Sequence, residues 1–480
     1  MLEELQDKRI HVVGVTGAEG AAVALFLSKR IKADFTFHDF CQANDFKKSF
    51  WSFHDAYSEA EKENLFTQLT KLRDRINFGD KYLDSIDEAD VIYVPQSWFR
   101  YKFNEPLRKQ QNKFSSITKL YFDLTKAKII GVTGTSGKST VTALIANILK
   151  RSGQKVFLSG NERHAKQHLE EVETLGKNDY LVLEISNRQL MLDLKASPHV
   201  AVISNITPNH LDDHESFEDY INVKKKLFAY QGYNDFLITN YDRAVTKEMK
   251  SKGETLFFSQ KEEVKSGAFL RDYDLVIRHD EREYQLCRKQ ELQIKGPHNI
   301  ENALAAALAA FVVGTNTKEI RDGLVTFKPL DSRLESVGLI DEVEFINDSK
   351  SCNPEATSQA LATYSKPIIL IAGGTRKKIV PGEFDKMAKA IFDNKVKAVI
   401  LIGETAKSIE ETIRKVGKNY DHHDFLVRRQ DNLEKAFKDA MALSESGDVV
   451  LFSPAAESFG LFKDYRERAQ KFRDLVKSEQ

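Results

Sequence analysis

Residues 129–140 of this 480-residue chain read Ile-Ile-Gly-Val-Thr-Gly-Thr-Ser-Gly-Lys-Ser-Thr. A β-branched apolar run leads into a glycine-rich turn, and the helical pattern VTALIANILK follows the turn. Glycines allow the backbone to wrap an anion, so that N–H groups and the helix N-terminus can face phosphate oxygens. Lys138 adds a cation for the outer phosphates, and Ser139 or Thr140 offers a hydroxyl to Mg²⁺. The stretch predicts a phosphate-binding loop at a strand-to-helix junction.

The loop is a tighter variant of the general nucleotide-binding pattern. That pattern has a glycine five positions before the final glycine, and this chain has Val132 there, with the glycine two residues later at Gly134. The alternative is a glycine turn that only connects a buried strand to a helix. The Gly-Lys-Ser-Thr sequence at such a junction favours phosphate binding.

Composition limits the classes of protein to which the chain can belong. Lysine plus arginine and aspartate plus glutamate each number 71, so no overall charge favours nucleic acid or an anionic membrane. No apolar run approaches the ~20 residues needed to span a bilayer, and the first ten residues lack the apolar core of a signal peptide. The three cysteines are too few and too scattered for a disulfide framework. We expect a soluble cytoplasmic protein with reduced thiols that binds neither nucleic acid nor membrane.

Strand-like and helix-like patterns alternate along the whole chain, which predicts an α/β fold with mostly parallel sheets. Gly14, Gly17 and Gly20 form a loosened dinucleotide-binding turn after the first strand-like run. A charged, more irregular stretch is expected over residues 241–293. We predict three domains: a Rossmann-like domain at residues 1–126, a central ATPase domain with the phosphate loop at 127–326, and a second Rossmann-like domain at 327–480.

Polar residues follow several predicted strands, where ligands bind in parallel sheets. Glu184 ends a strand and is placed to ligate Mg²⁺, although an acid facing solvent is the alternative. His210 lies among aspartates, which indicates either a metal cluster or a solvated turn. The lysine run 224–226 is by default an exposed helix face. A lysine can ligate Mg²⁺ only after it reacts with carbon dioxide to form a carbamate.

A set of segments resembles the Mur ligases of bacterial cell-wall synthesis, in consistent order over residues 129 to about 470. The segments are GVTGTSGKST, LEISNRQL, NITPNHLDDH…YINVKKKLF, GPHNIENALAA, DSRLE, INDSKSCNPEAT, AGGTRKK and SPAAESFGLFKDYRER. The last three most resemble the glutamate-adding branch of that family. The first 125 residues match only in pattern.

The resemblance implies a role for each matching residue. The implied catalytic residues are Lys138, His210, Lys224 and Lys350. The implied ATP-binding residues are Gly134, Thr135, Gly137, Lys138, Ser139, Thr140, Asn299, Asn302, Arg333 and Asp348. Two Mg²⁺ ions would be held by Ser139, Thr140, Glu184, His210 and Lys224, with Lys224 as a possible carbamate. The implied substrate-binding residues are Thr16, Asn161, Cys352, Lys377, Ser458, Phe459 and Tyr465.

The resemblance also implies a reaction. The substrates would be UDP-MurNAc-L-Ala and D-glutamate, joined by a monomeric enzyme in peptidoglycan precursor synthesis. ATP would phosphorylate the acceptor carboxylate, and the amine of glutamate would attack the resulting acyl phosphate. Closure of the third domain would exclude water.

Several positions depart from the family pattern. Ser332 replaces a histidine, and Cys352 replaces a threonine of the amino-acid pocket, which leaves D-glutamate, L-glutamate or another amino acid open. Thr375 and Arg376 replace a different turn, and Glu457 is an unexpected charge beside Ser458. The turn after Pro95 reads Gln96-Ser97-Trp98-Phe99 instead of carrying a glycine.

Two other functions stay open. One is a related ligase for another amino acid or acceptor, either a folylpolyglutamate-type enzyme or another Mur ligase. The other is a nucleotide-binding protein that no longer ligates. The length of the first domain argues against a folylpolyglutamate-type enzyme, and the intact candidate lysines, Glu184 and His210 argue against loss of ligation.

Overall fold

The computed structural model describes residues 2–161, 166–192, 194–208, 213–376, 379–420 and 424–480. His210 and Lys377 lie outside these ranges, so their predicted roles stay predictions. The chain divides into two compact units, Met1–Lys289 with Glu301–Val325 and Gln290–Ile300 with Thr326–Gln480. Three sheets with helices on their faces lie within these units.

The first sheet is wholly parallel, with strand order β3-β2-β1-β4-β5. Its strands are β1 Arg9–Val13, β2 Asp34–Asp39, β3 Ile76–Phe78, β4 Val91–Tyr93 and β5 Phe114–Ser115. Its helices are α1 Ala18–Arg30, α2 Phe46–Ser52, α3 Glu59–Thr70, α4 Glu105–Arg108 and α5 Ile117–Leu124. The glycine turn after β1 and the end of β2 therefore lie at the same edge.

The second sheet has the order β14-β13-β12-β11-β10-β9-β6-β8-β7. Its strands are β6 Lys128–Thr133, β7 Val156–Gly160, β8 Tyr180–Glu184, β9 Val200–Ile203, β10 Phe236–Asn240, β11 Glu254–Ser259, β12 Gly267–Arg271, β13 Asp274–His279 and β14 Arg282–Arg288. The associated helices are α6 Lys138–Arg151, α7 Leu169–Val172, α8 Asn187–Met191, α9 Phe217–Lys225, α10 Ala244–Lys247, α11 Pro297–Val312 and α12 Thr317–Val325. Strands β6 to β12 are parallel, and the phosphate loop follows the sixth strand in the middle of the sheet.

The prediction of an irregular stretch over residues 241–293 is wrong, because this stretch contains β11 to β14. The last two strands extend the sheet as antiparallel hairpins. Their exposed sides carry charged residues that pair with one another, as Arg271 does with Glu263 at 2.7 Å and Glu283 at 2.9 Å. The paired charges hid the strand pattern in the sequence.

The third sheet has the order β15-β16-β20-β17-β18-β19 and lies in the second unit. Its strands are β15 Glu335–Ile340, β16 Val343–Asn347, β17 Ile368–Gly373, β18 Val396–Ile402, β19 Leu426–Gln430 and β20 Val449–Phe452. Its helices are α13 Pro354–Leu361, α14 Asp385–Asp393, α15 Ala406–Gly417, α16 Leu433–Leu443 and α17 Tyr465–Glu479. Among the strands described for this sheet, only the β15–β16 pair is antiparallel. The predicted α/β fold is confirmed, while the boundaries at residues 126/127 and 326/327 stay predictions.

The first two sheets share one apolar core. Phe26 of α1, Tyr121 of α5 and Leu181 of β8 belong to the same buried cluster. The third sheet has its own buried apolar clusters on its two faces. Among the described residues, no helix is both long enough and apolar enough to cross a membrane.

Candidate functional site

The phosphate loop joins β6 to α6 through two glycines that pack tightly against neighbouring segments. A Cβ on Gly134 would lie 1.9 Å from Ser204 Oγ, and a Cβ on Gly137 would lie 2.4 Å from Asn302 Oδ1. Gly137 also has a φ of +84°, a conformation that favours glycine. Both positions therefore require glycine, and Asn302 lies against the loop as part of α11.

The segment after β9 holds the loop by hydrogen bonds. Thr135 N donates to Asn205 O at 2.8 Å, and Ser136 N donates to Asn205 Oδ1 at 2.9 Å. Lys138 Nζ donates to the carbonyl oxygens of Gly134 at 3.0 Å and Thr135 at 3.1 Å. The ammonium group consequently lies over the loop to which it belongs.

Lys224 is buried beside this loop, although a lysine run would by default be exposed. Its side chain comes from α9, and the residue is only 1% exposed. Lys224 Nζ donates to Gly134 O at 3.0 Å and lies 4.7 Å from the centre of the Tyr220 ring. Burial lowers the pKa of Lys224 well below its ordinary value, and the positive charge of Lys138 lowers it further. Both effects shift this side chain toward the neutral amine.

Glu184 lies at the end of β8, opposite Val132 of β6 in the register of the sheet. Its residue is 7% exposed, and its carboxylate Oε1 accepts a hydrogen bond from Asn161 Nδ2 at 2.8 Å. Asn161 N also donates to the carbonyl of Glu184 at 2.7 Å. The structure therefore brings Glu184 and Asn161 together at the sheet edge that carries the phosphate loop.

The donors around this edge fit Mg²⁺. Glu184 offers a carboxylate, and Ser139 and Thr140 offer hydroxyls in the first turn of α6, which are the oxygen ligands that Mg²⁺ prefers. Within the described residues, no group of three or more His, Cys, Asp or Glu side chains forms a metal cluster.

The second unit carries a separate polar cluster around Asp348, just after β16. Asp348 Oδ2 accepts from Ser351 Oγ at 2.6 Å and Ser453 Oγ at 2.7 Å. Burial raises the pKa of Asp348 to about 6 despite these hydrogen bonds and the nearby charge of Arg333. The predicted ATP-binding residues Arg333 and Asp348 thus interact electrostatically.

His298 is a residue of this cluster that the sequence analysis missed. Burial lowers its pKa to about 4, and the charge of Arg333 acts in the same direction. Its Nδ1 atom is buried and has no hydrogen-bond partner among the described residues. Its neighbour Asn299 donates from Nδ2 to Lys295 O at 2.7 Å. The signal for His298 was its position directly before Asn299.

Most of the predicted residues of the amino-acid pocket also lie in the second unit. Lys350 Nζ lies 5.2 Å from the centre of the Tyr465 ring, at the start of α17. Ser458 is buried, whereas Phe459 is 52% exposed and its carbonyl accepts a hydrogen bond from Thr375 Oγ1. The structure thus pairs Lys350 with Tyr465, and Thr375 with the loop that carries Ser458 and Phe459.

Four of the positions that depart from the family pattern lie beside one another: Cys352, Thr375, Arg376 and Glu457. Thr375 and Glu457 form a β-bridge, with N–H···O distances of 2.9 and 3.0 Å. Arg376 Nη1 donates to Cys352 O at 3.2 Å, and its guanidinium pairs with Glu383. The altered residues therefore change one local region instead of several separate ones.

Ser332 is buried elsewhere in the second unit. Its backbone N–H donates to Glu335 Oε2 at 2.8 Å, and its hydroxyl accepts from Arg473 Nη2 at 3.3 Å. Lys350 N donates to the carbonyl of Ser332 at 3.1 Å. Ser332 thus helps to fix the segment that carries Lys350.

At the edge of the first sheet, Thr16 contacts the end of β2. Thr16 N and Oγ1 both donate to Asp39 Oδ2 at 2.7 Å. An aromatic cluster that the sequence analysis missed follows Asp39: Phe40, Tyr101 and Phe103 lie with ring centres 5.1–5.8 Å apart and are 38–46% exposed. Phe40 precedes Tyr101 and Phe103 by more than 60 residues in the sequence, so only the fold brings it to them.

Comparisons with known proteins identify the family. The family model described as the Mur ligase middle domain matches residues 132–310, and the model described as the Mur ligase glutamate ligase domain matches residues 332–456. Together these models cover more than half of the chain. The chain belongs to the Mur ligase family.

Individual Mur ligases are similar over nearly the whole chain. UDP-N-acetylmuramoylalanine–D-glutamate ligase of Acetivibrio thermocellus is 36% identical over 429 residues, covering 88% of this chain and 90% of the relative. The protein of the same name from Caldanaerobacter subterraneus subsp. tengcongensis is 33% identical over 481 residues, covering 98% and 99%. A pseudomurein peptide ligase type C from Methanothermus fervidus has the same fold, with a TM-score of 0.61, 20% identity and coverage of 99% and 100%.

The predicted resemblance to Mur ligases and the predicted enzyme class, a ligase, are confirmed. The second of these relatives covers the first sheet as well, which the sequence segments alone did not reach. The roles of individual site residues stay predictions, because the comparisons do not assign residues.

Proposed function

We propose that this chain is an ATP-dependent ligase that adds D-glutamate to UDP-N-acetylmuramoyl-L-alanine in peptidoglycan precursor synthesis. The observation that carries the proposal is the similarity, over nearly full length, to relatives named for that reaction. The phosphate loop with Lys138, Glu184 and the buried Lys224 supports it, because this set suits phosphoryl transfer. The enzyme would act as a cytoplasmic monomer on small molecules.

The two sheets of the first unit would divide the substrates between them. The loop N–H groups and Lys138 would hold the β and γ phosphates of ATP at the N-terminus of α6. Ser139, Thr140, Glu184 and His210 would hold Mg²⁺. Bound Mg²⁺ would neutralise the phosphate oxygens during transfer. Thr16 at the first sheet and Asn161 at the second would face the UDP-sugar.

The residues of the second unit would bind adenosine and the amino acid. Arg333 and Asp348 would contact the nucleotide together with Asn299. Lys350 would stabilise the transferring phosphoryl group, because a cation offsets the charge that develops on its oxygens. Cys352, Lys377, Ser458, Phe459 and Tyr465 would form the glutamate pocket.

The reaction would proceed in two balanced steps. A carboxylate oxygen of the acceptor attacks the γ phosphorus, and ADP leaves. The neutral amine of glutamate then attacks the acyl carbon, and the tetrahedral intermediate collapses to an amide with loss of phosphate and a proton. His210 would accept that proton.

A carbamate on Lys224 is part of the proposal. Only the neutral amine reacts with carbon dioxide, and the burial of Lys224 favours that form. The product is a carboxylate in effect, which would turn a side chain that repels Mg²⁺ into a ligand for it.

A second candidate function is the same ligation with a different amino acid. The observation that favours it is the clustering of Cys352, Thr375, Arg376 and Glu457, since changes in one region alter one pocket. L-Glutamate is the nearest alternative substrate.

Phosphate release from MgATP tests both candidates. The enzyme is incubated with UDP-MurNAc-L-Ala and, in separate reactions, with D-glutamate, L-glutamate and other amino acids. The mass of each product is measured by mass spectrometry. Release with D-glutamate and the matching mass gain is expected. Phosphate release only with another amino acid would support the second candidate. If no amino acid gave phosphate release, UDP-MurNAc-L-Ala would be rejected as the acceptor.

A further inference from the structure

Helix α8 follows Glu184 by two residues and is attached to the first sheet. Ser186 caps the helix, and its Oγ accepts from Gln189 N at 3.2 Å. Ile185 N donates to Val132 O of β6 at 2.8 Å, so the connection between Glu184 and the helix is short and fixed. Only Ile185 and Ser186 therefore separate Glu184 from α8.

Gln96 makes the first attachment, from the turn that lacks the expected glycine. Ser186 Oγ donates to Gln96 Oε1 at 2.8 Å. Gln96 N and Nε2 donate to the two carboxylate oxygens of Glu19 at 3.1 and 3.0 Å. Glu19 lies in the first turn of α1, so a chain of hydrogen bonds runs from α1 through Gln96 to the cap of α8.

The segment after β4 makes two further attachments to α8. Arg188 Nη2 pairs with Asp213 Oδ2 at 2.6 Å, and Arg100 Nε lies 3.9 Å from Asp213 Oδ1. Leu192, which follows the helix, is buried in an apolar cluster with Trp98 and Leu107. The same segment of the first sheet therefore contacts α8 at its cap, on its side and at its end.

These hydrogen bonds give a structural role to Gln96 in the turn that lacks the expected glycine. The backbone N–H and both polar atoms of the Gln96 side chain already have partners within the chain. Gln96 therefore connects the two sheets of the first unit.

We propose that Gln96 and Arg100 are positioning residues that hold α8, and through it the carboxylate of Glu184, in register with the phosphate loop. The proposal rests on the proposed function, because it assumes that Glu184 ligates Mg²⁺ there. It implies that the acceptor-binding sheet sets the geometry of the phosphoryl-transfer site. Residues that orient a metal ligand change metal affinity when they are replaced.

The test compares the full-length enzyme with two variants. Glu19→Leu with Gln96→Leu removes the link to Ser186 without leaving a buried carboxylate unpaired. Arg100→Met removes the charge near Asp213 and keeps Arg188 in place. Gln68→Leu is the matched control, because Gln68 contacts Asn64 of its own helix.

Isothermal titration calorimetry with the non-hydrolysable analogue AMP-PNP is repeated at several Mg²⁺ concentrations. It gives the apparent dissociation constant for Mg²⁺ and requires no ligation reaction. We expect this constant to rise about tenfold in the double variant and less in Arg100→Met, with Gln68→Leu unchanged. Nucleotide affinity without Mg²⁺ should stay the same, which a general loss of structure would not allow.

An unchanged Mg²⁺ constant in both variants would overturn the proposal, even if the KM for the UDP-sugar rose. If the double variant fails to fold, the Arg100→Met titration decides alone, with an unchanged constant again counting against the proposal. Failure of the proposed function would appear differently, as wild-type enzyme that binds MgAMP-PNP but releases no phosphate with the acceptor.

Discussion

Lys138 is the residue on which the proposed phosphoryl transfer depends most. Its ammonium lies over the loop carbonyls of Gly134 and Thr135. Lys138→Met removes the charge and keeps the length of the side chain, so we expect phosphate release to fall about 100-fold or more with an unchanged melting temperature. Lys126→Met, on an exposed turn before β6, is the control. Turnover within a few-fold of wild type would show that the loop is not the catalytic one.

Lys224 allows a direct test of the carbamate. Its buried amine is favoured in the neutral form, so enzyme equilibrated with ¹³C-bicarbonate should give a carbamate carbon signal by NMR. Lys224→Arg should remove that signal, because a guanidinium stays charged. A wild-type spectrum without the signal would contradict the carbamate and leave Lys224 with a structural role through its hydrogen bond to Gly134.

Cys352 tests the amino-acid pocket. Its thiol lies 3.5 Å from Lys350 O and is a weak donor, whereas the threonine of the family pattern has a stronger one. Cys352→Thr should therefore keep the KM for D-glutamate within about fivefold of wild type, or lower it. Cys287→Ala, in the hairpin of the first unit, is the control. A larger rise in KM would mean that this pocket is shaped for another amino acid.

Strands β1 and β2 carry a buried histidine pair that makes stability depend on pH. His11 Nδ1 and His38 Nε2 are 2.9 Å apart. Burial lowers the pKa of His11 to about 4 and that of His38 to about 3. In the unfolded chain these histidines bind protons near pH 6.5, whereas in the folded chain they do not. The contribution of the neutral pair to the free energy of unfolding is therefore complete above pH 6.5 and is lost as the pH falls toward 4.

Tryptophan fluorescence checks this dependence, because Trp51 and Trp98 both lie in the region of the first sheet. As the pH falls from 6.5 to 5, the unfolding free energy should fall by up to about 1.4 kcal/mol per pH unit for each histidine. His11→Gln should reduce the slope, while His279→Gln, on the hairpin, should not. If the midpoint of urea unfolding stayed the same from pH 6.5 to 5, the buried histidine pair would not be the source of the pH dependence.

Elements with a strong local pattern were predictable, and contacts between distant elements were not. The strand, glycine turn and helix around Lys138 are contiguous, so their periodicity shows in the sequence. The burial of Lys224 depends on the docking of α9 against a loop 90 residues earlier. The link between Gln96 and Ser186 likewise spans 90 residues and has no local signal. His210 and Lys377 were predicted from motifs alone and stay predictions.

At the scale of the whole molecule, the first two sheets share a core, and the segment after β4 joins them at α8. The second unit holds Arg333, Asp348 and Lys350. The proposed reaction requires that the chain activate a carboxylate by phosphorylating it.

The transfer of an oxygen isotope from the acceptor to phosphate tests whether the carboxylate is phosphorylated. UDP-MurNAc-L-Ala labelled with ¹⁸O in its terminal carboxylate is turned over with MgATP and D-glutamate, and the released phosphate is analysed by mass spectrometry. An acyl phosphate requires that one ¹⁸O atom pass from the carboxylate to phosphate in each turnover. Phosphate that carries no ¹⁸O from the acceptor would contradict the account, because ATP would then have been hydrolysed by water without activation of the carboxylate.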